Sequence, residues 1–132
     1  GPELRAESLS SSVAGGRLLV SLRLANVGTE TADLERVEVW GWKPGGDESF
    51  TMAPIREAEE PTALAPGDVA TMRFEVPLSG DEGSWRLVEA GYWAQGGYLR
   101  VSLPEQPTVE VGAPQDAVEL APSRTFDPYP GP

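Results

Sequence analysis

From Arg17 to Asn26 apolar and polar positions alternate: Leu18, Val20, Leu22 and Leu24 fall on one face, Leu19, Ser21 and Arg23 on the other. Successive side chains of a strand point to opposite faces, so a period of two predicts a strand with its leucine face in a core. The same period returns in 33–42, where Val37 and Val39 point inward and Glu38, Trp40 and Trp42 point away. Val69–Pro77 follows, with Ala70, Met72, Phe74 and Val76 inward. Trp85–Ala94 and Tyr98–Leu103 form a hairpin across Gln95-Gly96-Gly97. Leu4–Val13, rich in serine, reads as an edge strand, and Ser49–Met52 as a short strand before one helical turn at Pro54–Glu60. Ala14-Gly15-Gly16, Asn26-Val27-Gly28-Thr29, Leu64-Ala65-Pro66-Gly67-Asp68 and Ser79-Gly80-Asp81-Glu82-Gly83 carry turn chemistry, Asn and Gly because they tolerate positive φ. About seven short strands joined this way predict an all-β, immunoglobulin-like β-sandwich over residues 1–103.

Past Pro104 the character changes. Pro107, Pro114, Pro122, Pro128, Pro130 and Pro132 recur at a density that no helix or central strand tolerates. Residues 104–132 therefore read as an extended Pro-rich C-terminal arm or linker, with two alternating patches, Thr108–Val111 and Ala117–Leu120. Thr108, Val109 and Val111 are expected to add a strand to the sheet edge of a neighbouring subunit. Phe126 and Tyr129, among prolines, suit contact with flat aromatic rings.

The sandwich topology pairs the strand of Trp40 with the last two strands. For Trp85–Ala94 two phases compete. One puts Val88, Ala90, Tyr92 and Ala94 inward and Trp85, Leu87, Glu89, Gly91 and Trp93 outward. The other buries Trp85, Leu87 and Trp93 but also Glu89, which is costly without a partner, so the first is preferred. On the final strand Leu99, Val101 and Leu103 go inward, leaving Tyr98, Arg100 and Ser102 outside. The candidate partner-binding face is then Trp40, Trp42, Trp93, Tyr98, Leu87, Glu89 and Arg100. An exposed aromatic face of this kind is covered by something. The chain's own tail, a protein interface anchored by Trp, Tyr and Arg, and a sugar stacked on the rings are the three candidates.

Composition narrows the chemistry. The 132 residues include no Cys and no His, which excludes disulfides, thiol nucleophiles, imidazole catalysis and Cys/His zinc sites. No catalytic residue, cofactor or metal is expected, and the chain does not read as an enzyme. Asp47-Glu48, Glu57 to Glu60 and Asp81-Glu82 lack the Asp-x-Asp-x-Asp spacing of a calcium loop and read as solvated surface. With 21 acidic and 10 basic residues the formal charge is -11, a field that repels phosphate backbones and anionic lipid. Neither nucleic-acid binding nor membrane insertion is expected, and no apolar run approaches the ~20 residues of a membrane span. Arginine supplies nearly all the positive charge, Lys43 being the only lysine; Asn26 is the only asparagine. That bias suits a GC-rich genome and a heat-resistant protein. The opening Gly1-Pro2, without Met, reads as a processed end or an expression scar, behind which a signal or further domain has been removed.

Leu22-Arg23-Leu24-Ala25-Asn26-Val27-Gly28, the alternating strand after it, and Leu64-Ala65-Pro66-Gly67-Asp68-Val69 together resemble CARDB-like and related immunoglobulin-like accessory modules of bacterial surface proteins. The resemblance covers roughly residues 3 to 103 and mostly encodes sandwich turns. It implies a spacer, adhesion or ligand-presenting domain without catalytic residues, placed extracellularly or on a cell surface; a virion surface suits the same compact acidic sandwich with an extended terminus. Four tryptophans depart from a simple spacer. The expected function is a non-catalytic structural or assembly module making protein–protein contacts, with homo-oligomer formation, as in a capsid decoration protein or a surface-filament subunit. The alternative is a carbohydrate-binding or adhesion module of a larger secreted bacterial protein, with a polysaccharide partner.

Overall fold

The computed structural model describes residues 1–94 and 96–112. Ten strands follow one another: β1 (Leu4–Ala14), β2 (Arg17–Asn26), β3 (Ala32–Asp33), β4 (Glu38–Trp42), β5 (Ser49–Ile55), β6 (Ala63–Leu64), β7 (Val69–Pro77), β8 (Gly83–Ala94), β9 (Gly97–Ser102) and β10 (Thr108–Val111). All pairings are antiparallel. The main sheet runs β1-β2-β7-β5-β4-β8, with β9 and β10 both beyond β8, while β3 and β6 pair separately. β5 turns the corner of the sandwich: residues 49–52 pair with β4, and Ala53–Ile55 pair with β7. The protein is an all-β sandwich, with β1, β2, β7 and the end of β5 on one side and β4, β8 and β9 on the other, the strand grouping of immunoglobulin domains.

The core lies where the alternation put it. Leu18, Val20, Leu22 and Leu24 of β2 are buried, as are Val37, Val39, Met72 and Phe74. Met52 of β5, Leu64 of β6 and Leu34 after β3 complete it. The helical turn expected at Pro54–Glu60 is absent. Pro54 and Ile55 continue β5 opposite Phe74 and Arg73, and a turn closed by the Glu60 N–H on the Glu57 carbonyl follows at 3.1 Å.

Asn26, fully buried, is a hub rather than a left-handed turn residue. Its side-chain amide donates to the Glu30 and Leu64 carbonyls, both at 2.8 Å, and its Oδ1 accepts from the Gly28 and Glu3 N–H groups at 3.0 and 3.3 Å. Gly28 serves close approach: a Cβ there would collide with the Gly1 carbonyl oxygen and the Glu3 nitrogen. Tyr92 completes the tie to the chain start. Its hydroxyl accepts from the Leu4 N–H at 3.2 Å and donates to the Pro2 carbonyl at 3.3 Å.

Two expectations are corrected along β8. The ladder with β4 slips between Trp40 and Gly41, so that Trp40 opposes Glu89 and Gly41 opposes Leu87, leaving Val88 as an extra residue. A bulge of this kind reverses the inside–outside phase of the strand. Trp85 and Leu87 before it are buried, and Ala90 and Tyr92 after it are also buried. No single alternation describes the strand, and Leu87 and Trp85 belong to the core. Trp85 packs edge-on against Phe50 at 5.0 Å, and its indole N–H donates to the Asp81 carbonyl at 3.2 Å. Gly41 makes the bulge possible, because a Cβ there would strike the Arg86 carbonyl oxygen.

The second correction concerns Thr108, Val109 and Val111. They form β10 on the chain's own sheet, with Thr108 opposite Arg86 and Val111 opposite Gly83. β9 and β10 are two halves of one edge on β8, interrupted at 103–107, where Glu105 and Gln106 adopt φ of 65° and 43°. The Leu87 N–H donates to the Pro107 carbonyl at 2.9 Å, and the Ser84 hydroxyl donates to the Glu110 carboxylate. Val109 and Val111 pack against the core, so the sandwich runs past residue 103. Ala117–Leu120, Phe126 and Tyr129 lie outside the described residues.

Candidate functional site

The outer face of β4, β8 and β9 carries the aromatic side chains. Val37, Val39 and Gly41 of the Trp40 segment are buried, which sends Glu38, Trp40 and Trp42 to the other side. Beyond the bulge, Glu89, Gly91 and Trp93 of β8 share that side, opposite Ser102, Arg100 and Tyr98 of β9. The structure thus brings together Trp40, Trp42, Trp93, Tyr98, Glu89 and Arg100 as the alternation expects. Leu87 is the one member of the predicted face that points into the core.

The rings are set on edge. Trp40 and Trp42 lie 5.8 Å apart at 76°, Trp93 and Tyr98 5.2 Å apart at 66°. Both arrangements place a positive ring edge on a negative ring face, the favoured geometry for aromatic pairs. Trp93 is the most open ring, at 40% exposure; the other three are half-buried. The Arg36 guanidinium sits over the Trp93 ring, 4.9 Å from its centroid, a cation–π contact. Arg36 was missed in the sequence because it stands in the turn before β4, outside the alternating strand.

Tyr98 lies across Gly91, where a Cβ would run into its ring. Gly91, which the alternation already turns outward, is therefore the seat of the tyrosine, a role the sequence did not reveal. Burial first, then the Glu38 and Glu89 carboxylates, push the Tyr98 hydroxyl above its usual range, with Arg100 acting in the other direction. Glu89 is paired to Arg100 at 3.4 Å; the carboxylate is mostly shielded and the arginine mostly exposed. Beside Trp93 the face dips into an open depression of about 360 Å³, lined by Arg36, Glu38, Thr51, Ala53, Pro54 and Trp93 among others. Its arrangement offers ring edges, two arginines and two carboxylates, and no nucleophile–base pair.

No family model and no curated protein sequence matches this chain. Among solved structures it is similar to β-glucosidase 3B from Thermotoga neapolitana in complex with glucose, at 17% identity and a TM-score of 0.48, covering 83% of this chain and 17% of that one. A Northeast Structural Genomics Consortium target is similar at 13% identity and a TM-score of 0.43, covering 86% of each chain. An inactive mutant of the GH20 exo-β-N-acetylglucosaminidase from Vibrio harveyi is similar at 13% identity and a TM-score of 0.39, covering 77% of this chain. The chain spans 17% and 18% of the two glycosidases.

Proposed function

We propose that this chain is a non-catalytic β-sandwich module that holds a protein partner against the outer face of β4, β8 and β9, on the exterior of a cell or particle. The observation that carries the reading is the composition and packing of that face. Trp, Tyr and Arg are the residues that anchor protein interfaces. Here three Trp, one Tyr and Arg100 stand on one sheet, with Arg36 laid over Trp93 from the turn before β4, held by ring–ring, cation–π and ion-pair contacts. A sheet face preorganised in this way loses little conformational freedom on binding. The exterior location follows the resemblance to surface modules.

A polysaccharide reading asks for coplanar rings with open faces. The two ring pairs are instead tilted by 76° and 66°, and the Trp93 ring carries Arg36 over it. The two readings separate in one set of measurements. Immobilised protein should retain a protein component of its native surface fraction, and Trp93→Ala and Arg36→Ala should each lose it. Retardation of the wild type, but not of Trp93→Ala, in gels containing β-glucan, xylan or chitin would show a sugar site and overturn the protein reading.

A further inference from the structure

β1 is an edge strand, paired on one side only, with β2. A register shift between Ala6 and Ser8 divides it. The first part is tied down by Tyr92 through Leu4, and Glu7 at the shift engages Arg5 and Arg23 at 3.6 and 3.4 Å. The distal part, Ser8–Ala14, has no backbone hydrogen bond to anything but β2 among the described residues. Exposed sheet edges are ordinarily protected by charge or proline. Here Ser8 through Gly16 contains neither, in a chain of which 23% is charged.

The inward side of this segment is covered only in part: Leu9 packs against the core, while Val13 stands open. Leu9 opposes Leu22 and Val13 opposes Leu18, so both belong to the core face; yet Val13 is 44% exposed and Leu9 only half-buried. Beside Leu9 an open gap of about 300 Å³ separates the edge from Pro104 and Pro107.

We propose that this edge pairs with the same edge of a second copy of the chain, antiparallel, about a twofold axis at Ser11. The sequence Leu9-Ser10-Ser11-Ser12-Val13 has the same apolar pattern read from either end. With Ser11 opposite Ser11, Leu9 of one copy meets Val13 of the other on the core side, and Ser10 meets Ser12 on the outer side. Val13 of the second copy falls at the open gap. An isologous contact requires this self-complementarity. Copies carrying -11 each repel over most of their surface, whereas Ser8–Gly16 brings no charge of its own to such a contact, the nearest carboxylates being Glu7 and Glu105 at the gap.

Sedimentation equilibrium of the full chain tests it. The wild type should show about twice 14.1 kDa, and Trp93→Ala should leave that mass unchanged, since the aromatic face is elsewhere. A double variant Ser10→Lys with Ser12→Lys, and another Ser10→Glu with Ser12→Glu, should each be folded by circular dichroism and monomeric. Mixed together they should associate, because residue 10 of one copy opposes residue 12 of the other. A monomeric wild type at every concentration, a dimer that survives both charge pairs, or a mixture of folded variants that stays monomeric would each overturn the pairing.

Discussion

Asn26 concentrates more of the fold in one side chain than any apolar residue does. It satisfies two carbonyls and two N–H groups from three segments, the chain start, the turn after β2 and β6, with no solvent contact. Removing it strands buried polar groups that have no water to turn to, so Asn26→Ala should destabilise by about 3 kcal/mol or more in denaturant unfolding. The tryptophans divide by facing. Trp85→Ala should cost about 3–5 kcal/mol through the cavity it leaves, and Trp40→Ala or Trp42→Ala only about 1 kcal/mol. Comparable losses at all three positions would mean that the β4 rings are core. Tyr98 should ionise later than an ordinary tyrosine, and Glu89→Gln should bring it earlier, read from phenolate absorbance. Its raised value means that its contribution to stability is complete below about pH 10, the unfolded-state value, and is lost as pH rises through the folded one.

At the scale of elements, the bulge in β8 and the capture of β10 decide what the sandwich presents. Gly41→Ala forces a methyl group onto the Arg86 backbone and should open the β4–β8 ladder, lowering stability by about 2 kcal/mol or more and disturbing Trp40 and Trp42 together. The amide of Leu87, bonded to Pro107, should be protected in hydrogen exchange along with the β10 amides that face β8; exchange at coil rates there would detach β10 from the sheet. Strands β2, β4 and β7 were legible because each keeps one phase from end to end. β8 was not, because a single added residue reverses its phase, and the signal for it, Gly41, sits on a neighbouring strand. Thr108–Val111 was legible as a strand, but the prolines on either side of it pointed outward to another subunit. Its partner is the first half of β8, which only the register of the long hairpin reveals. Arg36 and Gly91 were hidden for a related reason: their role depends on which ring lies above them, and pairing decides that.

For the molecule as a whole, the two sides of the sandwich are held by contacts distant along the chain. Tyr92 secures Leu4 across 88 positions, and β10 closes on a strand some two dozen residues earlier. Topologies dominated by such contacts fold in milliseconds to seconds, because chain closure precedes its reward. During synthesis, then, β1 finds its hairpin partner β2 as soon as Asn26 has left the ribosome, but its hydrogen bonds to Tyr92, on the other side of the sandwich, wait for β8. A chain stalled before Tyr92 would thus hold β1 through β2 alone, with its serine-rich edge open to whatever nascent neighbour passes by.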